Sequence, residues 1–440
     1  MNTALPFVRG DAETIGLTEA FLRDGKLRIE VFAFREGETG AGDAGEARTF
    51  ALLDRTRPPL HAGESVEVHV VVRNLGVGHT FPGGTNDSNE SWIEFFAADG
   101  EGREIARSGR IEEDGRLSSD AHVYQAVFVN GESHRIFRRD PQNFRALVFA
   151  RTIGPGTADV ARYRLHVPAA LAGRTLTIGA RLRWRKFERG FTEFVYEGKD
   201  VPDLPVTTIA EHRVDLPVLT PGSPGDRDAA ALEAAAAGAP PEDWIRFNDH
   251  GIGLLLQGDT KGALDSFRAV EVLDPGRIDG PRNQARVWLS EGNLERAVEK
   301  LRRCEEIRPG DAQTAWFWAD ALVREGRYEE AAQAYRRVLE VFPGDRAAWM
   351  GLGRALFLDG AYEESLRALL RVLAIDPEHR EAHYHRMLCY RALGASFEAG
   401  EAEKAYRKYQ IDEDAAQRTN AFRRADPAVN FESLPIHVHG

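Results

Sequence analysis

The residues of this chain with chemistry to offer are histidines and clustered oxygen ligands. His79 sits between Gly78 and Thr80-Phe81-Pro82, in a loop shaped by Gly and Pro between two strand-like runs. Such a loop can hold an imidazole at an edge, where the ring can ligate a metal or bond the loop backbone. Residues 85–90 (Thr-Asn-Asp-Ser-Asn-Glu) are dense in oxygen ligands. Asp87 and Glu90 are the candidates there for holding Ca²⁺, although the spacing is not that of an EF-hand and Asx turns use the same residues without metal. His122 follows Ser118-Ser119-Asp120, but no Gly-x-Ser-x-Gly elbow and no His-Glu-x-x-His pair gives a hydrolase reading its geometry. His379 and His383 are four apart and lack a third ligand type, so a solvated face is expected. His437 and His439 alternate as in a strand and point the same way, either toward the β-domain or from a frayed end. The sequence shows no catalytic constellation.

Other classes are excluded by composition. The net charge is -12, and no Lys/Arg stripe stands out for neutralising phosphates, so nucleic acid is not an expected partner. No apolar run approaches the ~20 residues of a membrane span. The first 13 residues lack the basic and apolar regions of a secretory signal, which by itself points to the cytoplasm. The two cysteines, Cys304 and Cys389, form no Cys-x-x-Cys-His, so no haem is attached to this chain. Both fall where a helix expects a small apolar residue.

Three textures position these residues. From about 18 to 218 short alternating runs recur, as in residues 65–72 and 176–184, with turns at Ala62-Gly63-Glu64, Asp99-Gly100, Asn130-Gly131 and Gly154-Pro155-Gly156. This predicts an antiparallel β-sandwich domain over 1–218, one face of each strand on a core and the other in water. Residues 219–242, rich in Pro, Gly and Ala, read as a linker with a short Ala helix in its middle. From 243 to 411 the period becomes about 34. Gly258, Gly292, Gly326, Gly360 and Gly394 recur in register with Pro275, Pro309, Pro343 and Pro377, and with Ala263, Ala297, Ala331 and Ser365. Gly ends the first helix of each pair, the small residue lies where the helices cross, and Pro stops the second. Regular repeats are expected at 244–277, 278–311, 312–345 and 346–379. A degenerate fifth at 380–411 carries a short insertion over Ala395–Glu401, and 412–440 is a C-terminal tail.

This pattern resembles the tetratricopeptide repeat family, which implies an all-α superhelix with a concave groove for a protein or peptide. Matching the family's groove positions gives Asn248, Ile252 and Leu255; Arg282, Arg286 and Leu289; Trp316, Asp320 and Val323; and Met350, Arg354 and Phe357. Trp316 and Phe357 are the expected anchors. The stretch Asn74-Leu75-Gly76-Val77-Gly78-His79-Thr80-Phe81-Pro82, with Asp87 and Trp92, resembles a segment of exported bacterial multihaem c-type cytochromes. That resemblance implies that the chain is the haem-free part of, or partner to, such a cytochrome in extracytoplasmic, periplasmic electron transfer. Haem c would then lie on an upstream module or a partner, with His79 and His122 on the haem side. A repeat adaptor without a redox link, and a metal-dependent or hydrolytic β-domain, stay open as alternatives.

Overall fold

The computed structural model describes residues 3–36, 48–136, 139–221, 223, 227–409 and 413–440. Two compact units emerge: Met1–Leu273 with Glu413–Gly440, and Asp274–Asp412. The first unit therefore takes in the strands, the expected linker, the first helical hairpin and the C-terminal segment. This division differs from the one read in the sequence, and the expected boundary at 411/412 falls outside the described residues.

The strands that matter below are β1 (Leu27–Glu36), β2 (Ser65–Asn74), β3 (Glu90–Asp99), β4 (His122–Tyr124), β5 (Ala158–His166), β6 (Thr175–Arg185), β7 (Val206–Leu219) and β8 (Val438–His439). One sheet has the order β8-β5-β2-β1-Thr49–Ala51; a second runs Leu60–His61-β7-β6-β3-Glu104–Ser108, with β4 also on β3. Neighbours β1/β2, β2/β5, β6/β7 and β3/β6 are antiparallel. Inward residues at period two, such as Val66, Val68, Val70 and Val72 on β2 and Leu176, Ile178, Ala180 and Leu182 on β6, share one buried cluster. The expected β-sandwich is present.

The outer face of the first sheet is not in water. Helices α1 (Trp244–Leu256) and α2 (Thr260–Leu273) form the first hairpin, and α1 lies on β5 and β2. The contact is largely polar. Arg28 and Arg73 reach the two carboxylate oxygens of Asp249 at 2.5 and 3.0 Å. Arg246 pairs with Glu30 and, at 2.6 Å, with Asp54. Arg162 bonds Gln257 at 2.6 Å and approaches Asp259 at 3.3 Å. His69 bonds His250 at 2.8 Å, and His250 bonds Ser266 at 2.9 Å. A bulge between Val31 and Ala33 lets Phe32 face the helix, edge-on to Phe247 at 5.5 Å. These polar side chains carry the alternation that predicts solvent, and ion pairing is what makes them suitable for burial.

The expected linker is ordered where it is described. Arg227 is buried and bonds Glu36, Glu64 and the Pro59 carbonyl, and Leu232–Ala237 is a helix packed on α2.

The second unit is a run of helical hairpins: α3 (Asp279–Ser290) with α4 (Leu294–Ile307), α5 (Ala312–Arg324) with α6 (Tyr328–Val341), α7 (Arg346–Leu358) with α8 (Tyr362–Ile375), and α9 (Arg380–Ala392) with α10 (Ser396–Lys408). Gly292, Gly326, Gly360 and Gly394 follow the first helices with φ between 75 and 84°, the left-handed turn that favours glycine. The fifth repeat holds no insertion. Its second helix is continuous from Ser396, and Ala399, five residues after Gly394, is buried at the crossing like Ala297, Ala331 and Ser365. Among the described residues no helix is long and apolar enough to cross a membrane.

Candidate functional site

The groove positions of the second unit divide by exposure. Arg286 and Arg354 are exposed, while Arg282, Trp316, Asp320, Val323 and Phe357 are half-buried. Leu289 and Met350 are buried. Trp316 leans on the hydrophobic cluster of α5–α8 and meets Phe317 edge-on at 5.2 Å. Phe357 packs between Tyr362 and His385, with ring centroids 5.7 and 5.6 Å away. Asp320 bonds Arg324, and Arg282 bonds Asp279 at 2.8 Å. In the first unit, Asn248 is buried in α1 and Ile252 and Leu255 are half-buried, on the helix that rests on the sheet.

His79 is exposed, and its Nδ1–H donates to the Thr80 carbonyl at 2.7 Å. The ring lies over Gly83, where an added Cβ would come within 2.2 Å of it. Glu90 is a partner of Arg185, whose Nε donates to it at 2.8 Å, and Asp87 is buried with one carboxylate oxygen unpaired. The solvated face expected at His379 and His383 is not what forms. His379 caps α9, accepting from the Ala382 N–H, while His383 is buried and bonds the Pro377 carbonyl at 2.8 Å.

Among the described residues, the densest constellation gathers His122 with the C-terminal segment. After helices Glu413–Ala425 and Pro427–Glu432, β8 pairs in parallel with β5, Tyr163 opposite His439. His122, Glu432, His437 and His439 are all buried. One ligand atom can be taken from each so that all four lie within 4.8 Å of one another.

Every ring has one nitrogen committed outward. His122 Nε2–H donates to Asp159 Oδ2 at 2.9 Å. His437 Nδ1–H donates to the Leu434 carbonyl at 2.9 Å, and His439 Nδ1–H to the Asp120 carbonyl at 2.8 Å. Asp159 also accepts from Tyr124 at 3.0 Å and Gln257 at 2.8 Å. Glu432 gives Oε2 to Arg151 at 2.6 Å, and its buried Oε1 has no hydrogen-bond partner. Burial, with the positive charge of Arg151 and the neighbouring rings, pushes His437 down to about 3 and His439 down to about 2. Burial and then Arg151 also lower His122. Asp159 is held well below the usual carboxylate range: burial opposes its charge, but the hydrogen bond from His122, the charge of Arg151 and the hydrogen bond from Gln257 win.

A cleft of about 510 Å³ opens beside this cluster, with Val123, Gln125, Arg135, Glu188 and Glu432 on its wall. Burial pushes the Glu188 carboxyl up to about 7 against the pull of Arg135, 3.2 Å away.

Residue type and position in the sequence single out His122, His437 and His439 without joining them. Glu432, Asp159 and Arg151 carry no signal in the sequence, because no local spacing links residues so far apart in the chain.

No curated protein matches the chain. Among solved structures, the crystal structure of MamA protein is 19% identical and covers 39% of this chain and 98% of its own, with a TM-score of 0.35. MamA from Desulfovibrio magneticus is 17% identical, covering 42% and 97% with a TM-score of 0.34. PilF from Pseudomonas aeruginosa is 16% identical, covering 42% and 93% with a TM-score of 0.36. Residues 318–378, from within α5 to just beyond α8, match the tetratricopeptide repeat family model, so the hairpins α5–α6 and α7–α8 match tetratricopeptide repeats.

Proposed function

We propose that the protein is an interaction scaffold that holds a partner protein on its tetratricopeptide hairpins. The observation that carries this reading is the half-exposed set of Trp316, Val323 and Phe357, with Arg286 and Arg354 reaching solvent, on the first helices of successive hairpins. An aromatic and aliphatic strip edged by guanidinium groups suits a peptide with apolar anchors and acidic flanks. The resemblance of the loop at His79 to exported multihaem cytochromes supports a finer reading. There the partner is a haem-bearing module outside the cytoplasm, and this chain is its haem-free companion. That reading assigns the exposed His79 alone to the haem side, because His122 is buried with its ring nitrogens turned to Asp159 and His439.

The test is capture by the immobilised full chain of a purified multihaem c-type cytochrome, read by haem absorbance. Trp316→Ala with Phe357→Ala should weaken capture at least tenfold, the scale of a truncated interface anchor. Capture of an acidic, apolar-anchored peptide library with the same dependence, but of no cytochrome, would leave the scaffold and remove the redox partner. Binding that ignores both residues would refute the scaffold reading.

A further inference from the structure

We propose that His122, Glu432, His437 and His439 form a binding site for a first-row divalent transition metal, of the class represented by Zn²⁺, with three imidazoles and one carboxylate as ligands.

The argument is a count of protons and lone pairs. Asp159 and the Leu434 and Asp120 carbonyls can only accept, so each histidine must spend its single N–H on them. That leaves His122 Nδ1 and His439 Nε2 as bare lone pairs, while His437 Nε2 accepts from Arg151 Nη2 at 3.3 Å. His122 Nδ1 and His439 Nε2 nevertheless face each other at 3.0 Å. Two lone pairs at that distance repel unless a cation lies between them.

Glu432 Oε1 adds a carboxylate oxygen without a donor, 3.7 Å from His437 Nε2. A tetrahedral shell at ~2.1 Å from the metal sets its donors ~3.4 Å apart. The separations of 3.0 and 3.7 Å fall on either side of that value, and all four ligand atoms lie within 4.8 Å of one another, so the side chains must draw in to close the shell. Arg151 Nη2 donates to His437 Nε2 at 3.3 Å, a bond that a metal taking this lone pair would replace; the Nη1 bond to Glu432 Oε2 remains compatible with a bound ion.

The surroundings are those of ligands held for coordination. Asp159 behind His122 fixes the tautomer and strengthens the nitrogen as a donor, and backbone carbonyls do this for His437 and His439. Imidazole with carboxylate favours Zn²⁺, Fe²⁺, Co²⁺ or Ni²⁺ over Mg²⁺ or Ca²⁺, which prefer all-oxygen shells. Three ligands come from the last nine residues and one from β4, so a bound ion would staple the chain's end onto the sandwich.

The experiment uses the full chain made without a polyhistidine tag, stripped with chelator and titrated with Co²⁺ and then Zn²⁺. One Co²⁺ per chain should bind with the strong visible absorption of a four- or five-coordinate site and be displaced by Zn²⁺. X-ray absorption of the Zn²⁺ form should show about three imidazoles in the shell. Glu432→Gln, close in shape to the native residue, and His439→Asn should each weaken binding at least tenfold, while His379→Asn leaves it unchanged. Should His439→Asn fail to fold, the wild-type absorption and imidazole count decide alone. Co²⁺ that stays pale and six-coordinate, fewer than two imidazoles in the shell, or affinity indifferent to Glu432→Gln would overturn the proposal.

Discussion

Gly253 decides whether the first helical hairpin belongs to the sandwich. It lies inside α1, facing β5, and a Cβ built there would stand 2.7 Å from Val160 Cγ2, 3.2 Å from the Asp159 carbonyl carbon and 3.3 Å from the Val160 nitrogen. Two of those three atoms are backbone and cannot rotate away. In a free helix Gly→Ala stabilises by ~1 kcal/mol. Here the methyl must push the helix off the sheet, at the ~1–3 kcal/mol typical of overpacking, and must stretch the pairs of Asp249 with Arg28 and Arg73 as it does so. Overpacking less the propensity gain leaves a loss of about 0–2 kcal/mol, and the stretched ion pairs add up to about 1, so the sign is reversed, to a net loss of about 1–2 kcal/mol. Hydrogen exchange of the α1 amides reads this locally, and protection should fall by about 5- to 30-fold in Gly253→Ala. Gly400, inside α10, has nothing within 4 Å of the place an added methyl would take, so Gly400→Ala should raise protection in its own helix. If Gly253→Ala raised α1 protection as Gly400→Ala does for α10, the hairpin would not be seated on the sheet and the account of the first unit would fail.

Three further outcomes are expected. Asp159→Asn should weaken Co²⁺ binding by about 10- to 100-fold without abolishing it, since Asp159 orients His122 and is not itself a proposed ligand; unchanged affinity would count against the site. Glu188 has its folded pKa raised to about 7, above the 4.5 of a free carboxyl, so the folded chain holds its proton through that window. Its contribution is thus fully present below about pH 4.5 and is lost as pH rises through 7; Glu188→Gln should flatten stability against pH over this range, and parallel curves would refute the assignment. Cys304 and Cys389 are both fully buried, with burial raising the Cys389 thiol, so iodoacetamide should label neither in the native chain and both in denaturant.

The helical hairpins were legible because one local rule recurs. A glycine at positive φ, a small crossing residue five positions later and a proline after the second helix each leave a mark within one repeat. The fifth repeat shows how that reading slips. Ala402 attracts the eye and makes Ala395–Glu401 look inserted, yet Ala399 is the residue five past Gly394 and the helix is regular. The sandwich core was legible for a similar reason, since period-two alternation such as Val66 to Val72 is a local pattern. The fate of the alternate residues was not. Glu67, His69 and Arg73 look solvated in sequence, and whether polar side chains meet water or partners depends on what covers the sheet.

The same reasoning explains why the histidine cluster was out of reach. A helix-borne metal pair declares itself by spacing, and the one pair here with that spacing, His379 and His383, is a helix cap and a buried carbonyl partner. The four clustered residues have no such spacing; they meet because the final strand pairs with β5 and because β4 sits on β3. What a single sequence offers for such a site is only residue type at a chain end, His437 and His439 on one face of two extended residues. The decisive information is the direction in which each remaining lone pair points, and this follows from acceptors such as the Asp120 and Leu434 carbonyls, whose identity no side chain encodes. A site of this kind is specified by backbone geometry at its rim, and conservative exchange of the ligands tests it more sharply than any comparison of motifs.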